Sequence, residues 1–428
     1  MITRRDVLKI STAAAAGSLV STLPVEAEQR QERAVAPSIQ ALKSLRDEVV
    51  PISNAERQQR IERARELMRA NKIDAILMIG GTSLLYYTNI RWWNSERLGA
   101  LVLPANGRAY FVAPAFERDR LHEQLAAGPL ADSADVLTWQ EDEDPYKLVA
   151  SGLADRGIRA GTLGIEERTT FVFSDGVTKA APAVKVVSAT PVTAGCRMHK
   201  SAHELQLMKL ANQATWQVYR AVYHALQPGM NQHDCEALIA AAYQRVGFRG
   251  DASVMVGEAT ANPHGSLAPQ VIEEGTPIMI DDGCDVEGYK SDITRTFVLG
   301  KAGDEQKRVF DIVRRAQKAA LAAARPGVPA ESVDAAARKV IVDAGFGPGF
   351  KYFSHRLGHG IGMDGHEWPY LVPGNKMLLE KDMTFSDEPG IYQPGKFGVR
   401  IEDDMYVTEN GAELFSPESP SIENPFGE

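Results

Sequence analysis

Two aspartates stand on either side of a predicted hairpin turn in the second half of the chain. Strand-like runs at Ile278–Asp282 and Tyr289–Leu299 are separated by the loop Asp285–Gly288. Asp281 and Asp292 are equidistant from the centre of this loop, so we expect them to lie opposite each other, with Cβ atoms about 5 Å apart. Two opposed carboxylates in apolar strands repel each other, and the arrangement therefore requires a shared proton or a cation.

A second hairpin repeats this arrangement closer to the C-terminus. The runs Thr384–Glu388 and Gly398–Val407 flank a loop at Gln393–Phe397. Glu388 and Glu402 are equidistant from its centre, so we expect these two side chains to face each other as well. Four acids placed symmetrically on two hairpins are atypical of a solvated surface. We therefore interpret them as ligands of a cation.

A glycine-rich segment, His355–His366, offers nitrogen ligands. His359 lies between Gly358 and Gly360, which let backbone and substrate approach closely. One imidazole with several carboxylates suits a pair of divalent transition ions such as Mn, Zn, Co or Fe. A closed structural zinc site would instead use cysteine or several histidines. Two such ions lower the pKa of a shared water, so the pattern predicts hydrolytic chemistry.

The elements that must position these residues are themselves repeated. Pro228–Gly229 opens a helical segment that closes at Gly247–Phe248. Pro326–Gly327 opens another that closes at Gly345–Phe346, about a hundred residues further along. A longer helix precedes each segment, at about residues 202–226 and 304–324, and an acidic strand region follows it. The matched order of helix, helix and hairpin predicts a duplicated α/β half-domain, in which Asn231 and Ser332 are the candidate N-terminal caps.

The region before residue 190 reads as a separate mixed α/β domain. Asn54 can cap a helix, and the run Ala75–Ile79 has the composition of a buried strand. Further strand-like runs are expected at Ala100–Leu103, Ala109–Val112, Leu163–Glu166 and Val184–Val187. Such alternation is typical of an α/β fold, and this region contains no cluster of His, Asp and Glu that predicts a site.

Composition and the N-terminus limit the partners of the protein. The chain of 428 residues has 47 Lys and Arg against 56 Asp and Glu, a net charge of -9 that argues against binding nucleic acid or anionic lipid. Arg4 and Arg5 precede the uncharged stretch Ile10–Val25, and Val25–Ala27 supplies a small-x-small cleavage site. We therefore expect a twin-arginine signal peptide, a periplasmic location, and no membrane association after signal removal.

The motifs around these residues resemble those of the pita-bread metallopeptidases, in the branch of the Xaa-Pro aminopeptidases and Xaa-Pro dipeptidases (prolidases). The resemblance covers nearly all of the chain after the signal peptide. It rests on the segments IDDGCDVEGYKSDITRTF (Ile280–Phe297), HRLGHGIGMDGHE (His355–Glu367), DEPGIY (Asp387–Tyr392) and GVRIEDD (Gly398–Asp404). The implied fold class is α/β (α+β), an N-terminal mixed α/β domain followed by a pseudo-symmetric duplicated pita-bread catalytic domain. The expected limits are signal peptide 1–27, N-terminal arm 28–50, creatinase/prolidase-like domain 51–190 and catalytic domain 191–428.

The resemblance implies a role for each candidate ligand. Asp281 and Asp292 are expected to bind metal, with Asp292 bridging. His359 and Glu388 each bind one ion, and Glu402 bridges. The implied cofactors are two divalent metal ions, with manganese expected and zinc, cobalt or iron as alternatives.

The same resemblance gives roles to residues outside the ligand set. His264 matches a histidine that contacts substrate near the scissile bond, His366 one that stabilises the tetrahedral intermediate, and His355 an active-site neighbour. Arg400 is expected near the metals, where it would offset carboxylate charge. Glu388 is the expected proton acceptor from the attacking water, and it would pass that proton to the leaving proline nitrogen.

The implied activity is hydrolysis of the Xaa-Pro bond in small peptides, by a homodimer or homotetramer. Prolidases of the family usually carry an arginine between the second histidine and the EPG segment, whereas Glu367–Glu388 contains no arginine. Aminopeptidase and dipeptidase activity therefore both stay open, with a lean away from a strict dipeptidase. The alternatives are a same-fold hydrolase or lyase of another small substrate, such as an organophosphate triester, and a non-catalytic peptide-binding module.

Overall fold

The computed structural model describes residues 36–428. The predicted signal peptide and the first residues of the predicted arm lie outside the described residues. The described chain forms an N-terminal α/β portion followed by two similar α/β halves, so the predicted fold class is confirmed. Among the helices of this part, none combines the length and the apolar character that crossing a bilayer requires.

The N-terminal portion is built on a six-stranded mixed sheet of order β4-β3-β2-β1-β5-β6. Its strands are β1 (Ala75–Ile79), β2 (Ala100–Pro104), β3 (Ala109–Pro114), β4 (Ala134–Trp139), β5 (Gly161–Ile165) and β6 (Val184–Ser188). Strand β1 pairs antiparallel with β2 and parallel with β5. Five of the six strands match predicted runs, whereas β4 was not predicted from the sequence.

Strand β1 sends alternate apolar side chains to two cores. Ile76 and Met78 pack with Ile61, while Leu77 and Ile79 pack in a separate cluster on the opposite face. Both faces of the sheet are therefore covered by helices. The helices of this portion are α1 (Pro37–Gln40), α2 (Asn54–Ala70), α3 (Thr82–Thr88), α4 (Arg118–Ala126), α5 (Pro145–Asp155), α6 (Phe171–Ala180) and α7 (Thr190–Arg197).

The N-terminal cap of α2 is Ser53, so the prediction of Asn54 is wrong by one residue. The Ser53 hydroxyl accepts the Glu56 amide, and the Glu56 carboxylate accepts the Ser53 amide, which together form a capping box. This reciprocal pair fixes where the helix begins. The Asn54 side chain donates to the carbonyl of Ala127 instead.

The two halves that follow share the same helix pair and the same backbone contacts. The Gly229 amide donates to the Ile272 carbonyl at 2.8 Å, and the Gly327 amide donates to the Leu379 carbonyl at 2.8 Å. Both glycines have positive φ, a conformation that favours glycine. The helices are α8 (Ala202–Tyr223) and α9 (Gln232–Val246) in the first half, and α10 (Asp304–Ala323) and α11 (Ala330–Asp343) in the second. The predicted duplication is therefore confirmed.

The caps of the shorter helices differ between the halves. Asn231 caps α9 as predicted, since its side chain accepts the amides of His233 and Asp234. Ser332 does not cap α11, because that helix begins two residues earlier and Pro329 occupies the cap position. The Ser332 hydroxyl donates to the Pro329 carbonyl instead.

The strands of the two halves form four small sheets. The first half contains β7 (Arg249–Gly250), β8 (Ser253–Val256), β9 (Pro277–Asp281), β10 (Cys284–Val286), β11 (Tyr289–Lys290) and β12 (Arg295–Val298). The second half contains β13 (Gly358–Gly360), β14 (Glu367–Leu371), β15 (Thr384–Asp387), β16 (Gly390–Gln393), β17 (Phe397–Arg400), β18 (Asp403–Val407) and β19 (Ala412–Leu414). The sheet orders are β12-β9-β8, β11-β10-β7, β14-β13-β15-β18-β19 and β16-β17.

The predicted register of the first hairpin is wrong. Strands β10 and β11 are joined by a two-residue turn, Glu287–Gly288, in which both residues have positive φ. The paired strands β9 and β12 consequently align Asp281 with Thr294 and not with Asp292. The shift is two residues, so Asp292 still lies on the same face as Asp281.

The register of the second hairpin is confirmed. Strands β16 and β17 pair Gly390 with Arg400, and β15 and β18 pair Asp387 with Asp403. Glu388 and Glu402 lie between these two ladders and in the same register. Thr294 is aligned with Asp281 in the first half, and Glu402 is aligned with Glu388 in the second. Thr294 is therefore the positional counterpart of Glu402.

Replacement of Gly345 by alanine is expected to lower stability through backbone conformation alone. Gly345 follows α11 with a φ of 93°, and an added Cβ would meet nothing within 4 Å. The left-handed conformation should cost about 1 kcal/mol, measured as a lower thermal midpoint. Gly411→Ala is the control, because Gly411 has the same open space without the positive φ. An equal midpoint for both variants would contradict the expectation.

Candidate metal centre

All five predicted ligands converge on one place between the two hairpins. Asp281, Asp292 and Glu402 bring one oxygen each within 4.8 Å of one another. His359, Glu388 and Glu402 form a second such group, which shares Glu402 with the first. Asp281 ends β9, and Glu388 directly follows β15. Asp292 and Glu402 precede β12 and β18, and His359 is the middle residue of β13. Two overlapping donor groups match the arrangement expected for two neighbouring cations.

The glycines beside His359 let its strand lie between two others. A Cβ at position 358 would come 2.0 Å from the Ser386 carbonyl oxygen, and one at position 360 would come 2.5 Å from the Trp368 carbonyl oxygen. Only residues without a side chain fit there. The close packing buries His359 and fixes the direction of its imidazole.

The imidazole of His359 presents a free lone pair to the acids. Its Nδ1 is 3.1 Å from the Gly360 carbonyl, which can only accept, so Nδ1 carries the proton. Its Nε2 lies 3.3 Å from Glu388 Oε1 and 3.9 Å from Asp292 Oδ2. Burial lowers the pKa of His359 to about 3, which keeps the ring neutral. A neutral imidazole with an unprotonated Nε2 is the form that binds a metal ion.

Asp292, Glu388 and Glu402 resist ionisation. Burial, and then repulsion from neighbouring acids, raises the pKa of Asp292 and Glu402 well above their usual range. Burial also raises the pKa of Glu388 to about 7. Within the described residues, Glu402 Oε1 is buried without a hydrogen-bond partner. Buried acids of this kind hold protons or a positive ion.

Thr294 and Arg400 connect the acids but do not neutralise them. The Thr294 hydroxyl contacts both Asp281 and Glu402, the latter at 2.6 Å, although it has one proton to donate. Arg400 bonds to Asp281 through Nη2 and to Thr294 Oγ1 through Nε at 3.0 Å. One guanidinium cannot balance four carboxylates. The oxygen-rich donor set with one imidazole therefore fits divalent transition ions.

His366 lies against His359, one of the predicted ligands. The two rings stack with centroids 3.7 Å apart. Arg356 Nη2 is 3.3 Å from His366 Nδ1, and a guanidinium can only donate. The neutral ring of His366 therefore carries its proton on Nε2, where it can be donated to a substrate oxygen.

The remaining predicted residues lie around the centre. His355 Nδ1 is 3.8 Å from Glu388 Oε2, and Tyr392 donates to its Nε2 at 2.7 Å. Arg400 is buried and also bonds to the Pro263 carbonyl at 3.1 Å, which anchors the segment that carries His264. His264 itself is exposed. The structure thus brings all the predicted site residues into one region, with His264 at its rim.

Three supporting residues were not singled out from the sequence. Thr294 was not singled out because the predicted register placed Asp292, and not Thr294, opposite Asp281. Ser386 accepts the His359 amide and donates to Glu388 Oε1, both at 3.1 Å. Asp404 accepts the Asp292 amide at 2.9 Å, and burial raises its pKa to about 8. The IEDD motif, whose second aspartate is Asp404, could have identified that residue from the sequence. No motif marked Ser386.

A cavity of about 1150 Å³ opens beside the centre. Its lining includes the predicted ligand Asp292 and Gly365, next to His366. The wall carries both signs of charge, since Lys290 and Arg249 lie among acids such as Asp282 and Asp285. The space is large enough for a small peptide.

A centre of carboxylates and one imidazole inside a duplicated α/β fold defines a metal-dependent hydrolase. Residues 206–409 match the model of metallopeptidase family M24, and residues 60–199 match the creatinase/prolidase N-terminal domain. The chain belongs to metallopeptidase family M24, and its catalytic domain has the pita-bread fold. Family membership implies divalent metal ions in the site and peptides as substrates. The predicted domain limits at residues 50 and 190 stay predictions.

Individual relatives agree with this assignment. The chain is 39% identical to the probable dipeptidase PepE of Mycobacterium tuberculosis, over 79% of this chain and 88% of the relative. It is 30% identical to an Xaa-Pro dipeptidase of Lactobacillus helveticus, over 83% of this chain and 96% of the relative. The crystal structure of dipeptidase PepE from Mycobacterium ulcerans superposes with a TM-score of 0.81 at 35% identity, covering 87% of this chain and 99% of that one.

The metal-free protein is expected to lose stability between about pH 6.5 and 8. The folded-state pKa values of Glu388 (about 7) and Asp404 (about 8) exceed those of an unfolded chain, so the stability conferred by protonation disappears as the pH rises through this window. Each such group contributes up to about 1.4 kcal/mol per pH unit. His355 and His359, with pKa values lowered to about 4 and 3, stay neutral in this range in the folded state.

The measurement is the thermal midpoint of chelator-treated protein at about pH 6.5 and about pH 8, with and without added Mn²⁺. Added metal should abolish or reverse the fall, because a cation replaces the protons and binds more tightly as the acids ionise. A metal-free midpoint that stays constant or rises with pH would contradict the assignment of these acids.

Glu402→Gln is expected to remove activity while preserving the fold. The variant should lose at least about 10²-fold in activity and retain less metal by elemental analysis. Its metal-free form should melt at a higher temperature than metal-free wild type, because one repelling buried acid is gone. Glu409→Gln is the matched control, since Glu409 is an exposed partner of Lys381. Retained turnover in Glu402→Gln would exclude a ligand role for Glu402.

Proposed function

We propose that this metallopeptidase hydrolyses the bond between an N-terminal residue and proline, in Xaa-Pro dipeptides or at the N-terminus of longer peptides. The observation that carries the proposal is the intact set of five donors with a proton-donating His366 beside it. Relatives whose names give Xaa-Pro dipeptidase activity support the choice of proline. Two manganese ions are the proposed cofactors, with zinc, cobalt or iron as alternatives.

The proposed ligand roles follow the two overlapping donor groups. Asp281 and Asp292 would hold one ion, and His359 and Glu388 would hold the other. Glu402 belongs to both groups, and Asp292 Oδ2 lies 3.9 Å from His359 Nε2, so these two carboxylates are the proposed bridges. When bound, such a pair of cations supplies Lewis-acid activation of water near neutral pH.

The protein residues perform the proton transfers and the orientation of the substrate. Glu388 accepts a proton from the attacking water and returns it to the proline nitrogen, which must be protonated before it leaves. His366 Nε2–H donates to the carbonyl oxygen as negative charge develops on it. His264 contacts the substrate near the scissile bond, and Arg400 holds Asp281 in place.

Substrate length is the open part of the proposal. Glu367–Glu388 lacks the arginine that prolidases of the family usually place there, whereas the relatives reported above are named dipeptidases. The cavity of about 1150 Å³ borders Asp292, but its lining includes neither His264 nor His366, so its size does not decide between the two activities. We keep both activities in the proposal for this reason.

The test is product analysis by mass spectrometry on metal-loaded protein. Gly-Pro and Ala-Pro are compared with a longer Xaa-Pro peptide and with matched Xaa-Ala peptides. We expect cleavage before proline and at least about tenfold slower cleavage of the Xaa-Ala controls, a difference of about 1.4 kcal/mol in transition-state stabilisation. Cleavage of dipeptides alone identifies a prolidase, and cleavage of the longer peptide identifies an aminopeptidase. Equal rates on Xaa-Ala would disprove proline specificity.

We also propose export to the periplasm by the twin-arginine pathway and assembly into a homodimer or homotetramer. The three cysteines are unpaired and buried, which suits a protein that folds before export. Exposed Trp93 and Phe116, at 83% and 65% of full exposure, support a subunit contact. For export, we expect a mature N-terminus at Glu28 in the periplasmic fraction. For assembly, we expect a multimeric mass by light scattering. An Arg4→Lys, Arg5→Lys precursor should stay in the cytoplasm.

A further inference from the structure

Two acids anchor the loop that carries His366. Asp364 precedes His366 by two residues, and Glu367 follows it directly. Both carboxylates are buried, and each pairs with Arg197 of the N-terminal portion of the chain. Neither acid has a role in the hydrolytic chemistry proposed above.

The partners of these two acids come mainly from the N-terminal portion. Arg197, at the end of α7, bonds to Asp364 through Nη2 and to Glu367 at 2.6 Å through the same nitrogen. Its Nε adds a second contact to Glu367 at 3.2 Å. Lys200 Nζ reaches the other oxygen of Glu367 at 2.8 Å. Glu367 is thus held on both oxygens by buried cations.

Three further contacts complete the attachment of the loop. The Thr82 hydroxyl donates to Asp364 Oδ1 at 2.6 Å, and Arg168 Nη1 donates to the same oxygen at 3.0 Å. Arg168 Nη2 also reaches the backbone carbonyl of His366 itself at 3.4 Å. Thr82 and Arg168, like Arg197, lie within the segment that matches the creatinase/prolidase N-terminal domain.

The packing of the loop leaves little room for other positions. A Cβ at Gly362 would come 2.4 Å from Glu367 Oε1 and 2.9 Å from Lys200 Cε. On its far side, the His366 ring is stacked on His359 and bonded to Arg356. The position of the His366 donor is therefore fixed by contacts from two different parts of the chain.

We propose that Arg197, assisted by Arg168, is a positioning residue for His366. The N-terminal portion, through these arginines, sets the place from which His366 donates to the substrate oxygen. The inference rests on the function proposed for His366, and it assigns the N-terminal portion a direct part in the efficiency of the chemical step. Displacement of a donor by about 1 Å costs on the order of 10²-fold in rate.

The test is a double-mutant cycle of Arg197→Met and His366→Ala on the metal-loaded full chain. Each single variant is expected to lower kcat and kcat/KM together, by roughly 10- to 100-fold, since the lost interaction is made in the transition state. In the His366→Ala background, Arg197→Met should change kcat by less than about twofold, because the residues act as one unit. Metal content should equal that of wild type in every variant.

The outcomes separate this inference from the proposed function. If His366→Ala retains wild-type kcat, the role proposed for His366 is wrong. If His366→Ala loses activity and Arg197→Met costs an equal factor in its presence and absence, the positioning inference alone is wrong. Arg60→Met is the matched control, because Arg60 is also a buried arginine of the N-terminal portion that pairs with an acid of the first half, Glu204, at 3.1 Å. It should lower thermal stability without the loss of kcat.

A milder variant and a second readout keep the test decisive if Arg197→Met folds poorly. The Arg168 side chain is 58% exposed, so Arg168→Gln should fold normally and lower kcat by about threefold, with the loss again absent in the His366→Ala background. Amide hydrogen exchange of residues 361–367 in metal-free protein should accelerate in Arg168→Gln and Arg197→Met but not in Arg60→Met. Unchanged exchange together with unchanged kcat in Arg168→Gln would overturn the assistance assigned to Arg168.

Discussion

Repulsion among buried carboxylates is the constraint on which the rest of this structure depends. Asp292, Glu388 and Glu402 have raised pKa values because burial removes water and each faces other acids. Arg400 bonds to Asp281 and lies 4.0 Å from Glu402, so its single charge faces two of the four. If the strands that carry these four acids could move, the carboxylates would separate or stay protonated. Two stiff hairpins, each fixed by backbone pairing, hold the acids together and so create the demand for positive ions.

The elements around the four acids position the remaining groups of the site. Glycines at positions 358 and 360 let the strand of His359 pass between two neighbouring strands, which aims the imidazole at the acids. The duplicated halves supply one hairpin each. They are not equivalent, because Thr294 occupies in the first half the position that Glu402 occupies in the second. The N-terminal portion holds the loop of His366 from outside through Arg197. The carboxylate cluster and the loop of His366 are therefore held in place by different parts of the chain.

Much of this could be predicted from the sequence, because the strands and turns carry local signals. Ala75–Ile79 forms a strand with the predicted bounds, and the second hairpin has the predicted register. The first hairpin was misjudged because a turn with Glu287 at positive φ is uncommon for a residue other than glycine. The error of two residues left Asp292 on the correct face. The contact of Arg197 with Glu367 depends on how separate domains pack, and no local pattern encodes it.

The duplication also has a consequence for how the protein folds. Asp281 and Glu402 are about 120 positions apart, and the complete donor set exists only when both halves have docked. Closing so long a stretch of chain is slow compared with forming either hairpin by itself. During synthesis, the first hairpin emerges with its aspartates far from their glutamate partners, so in that interval only Asp281 and Asp292 repel each other. The repulsion among all four acids therefore arises late, after local structure has formed, and binding of both metal ions requires the complete native topology.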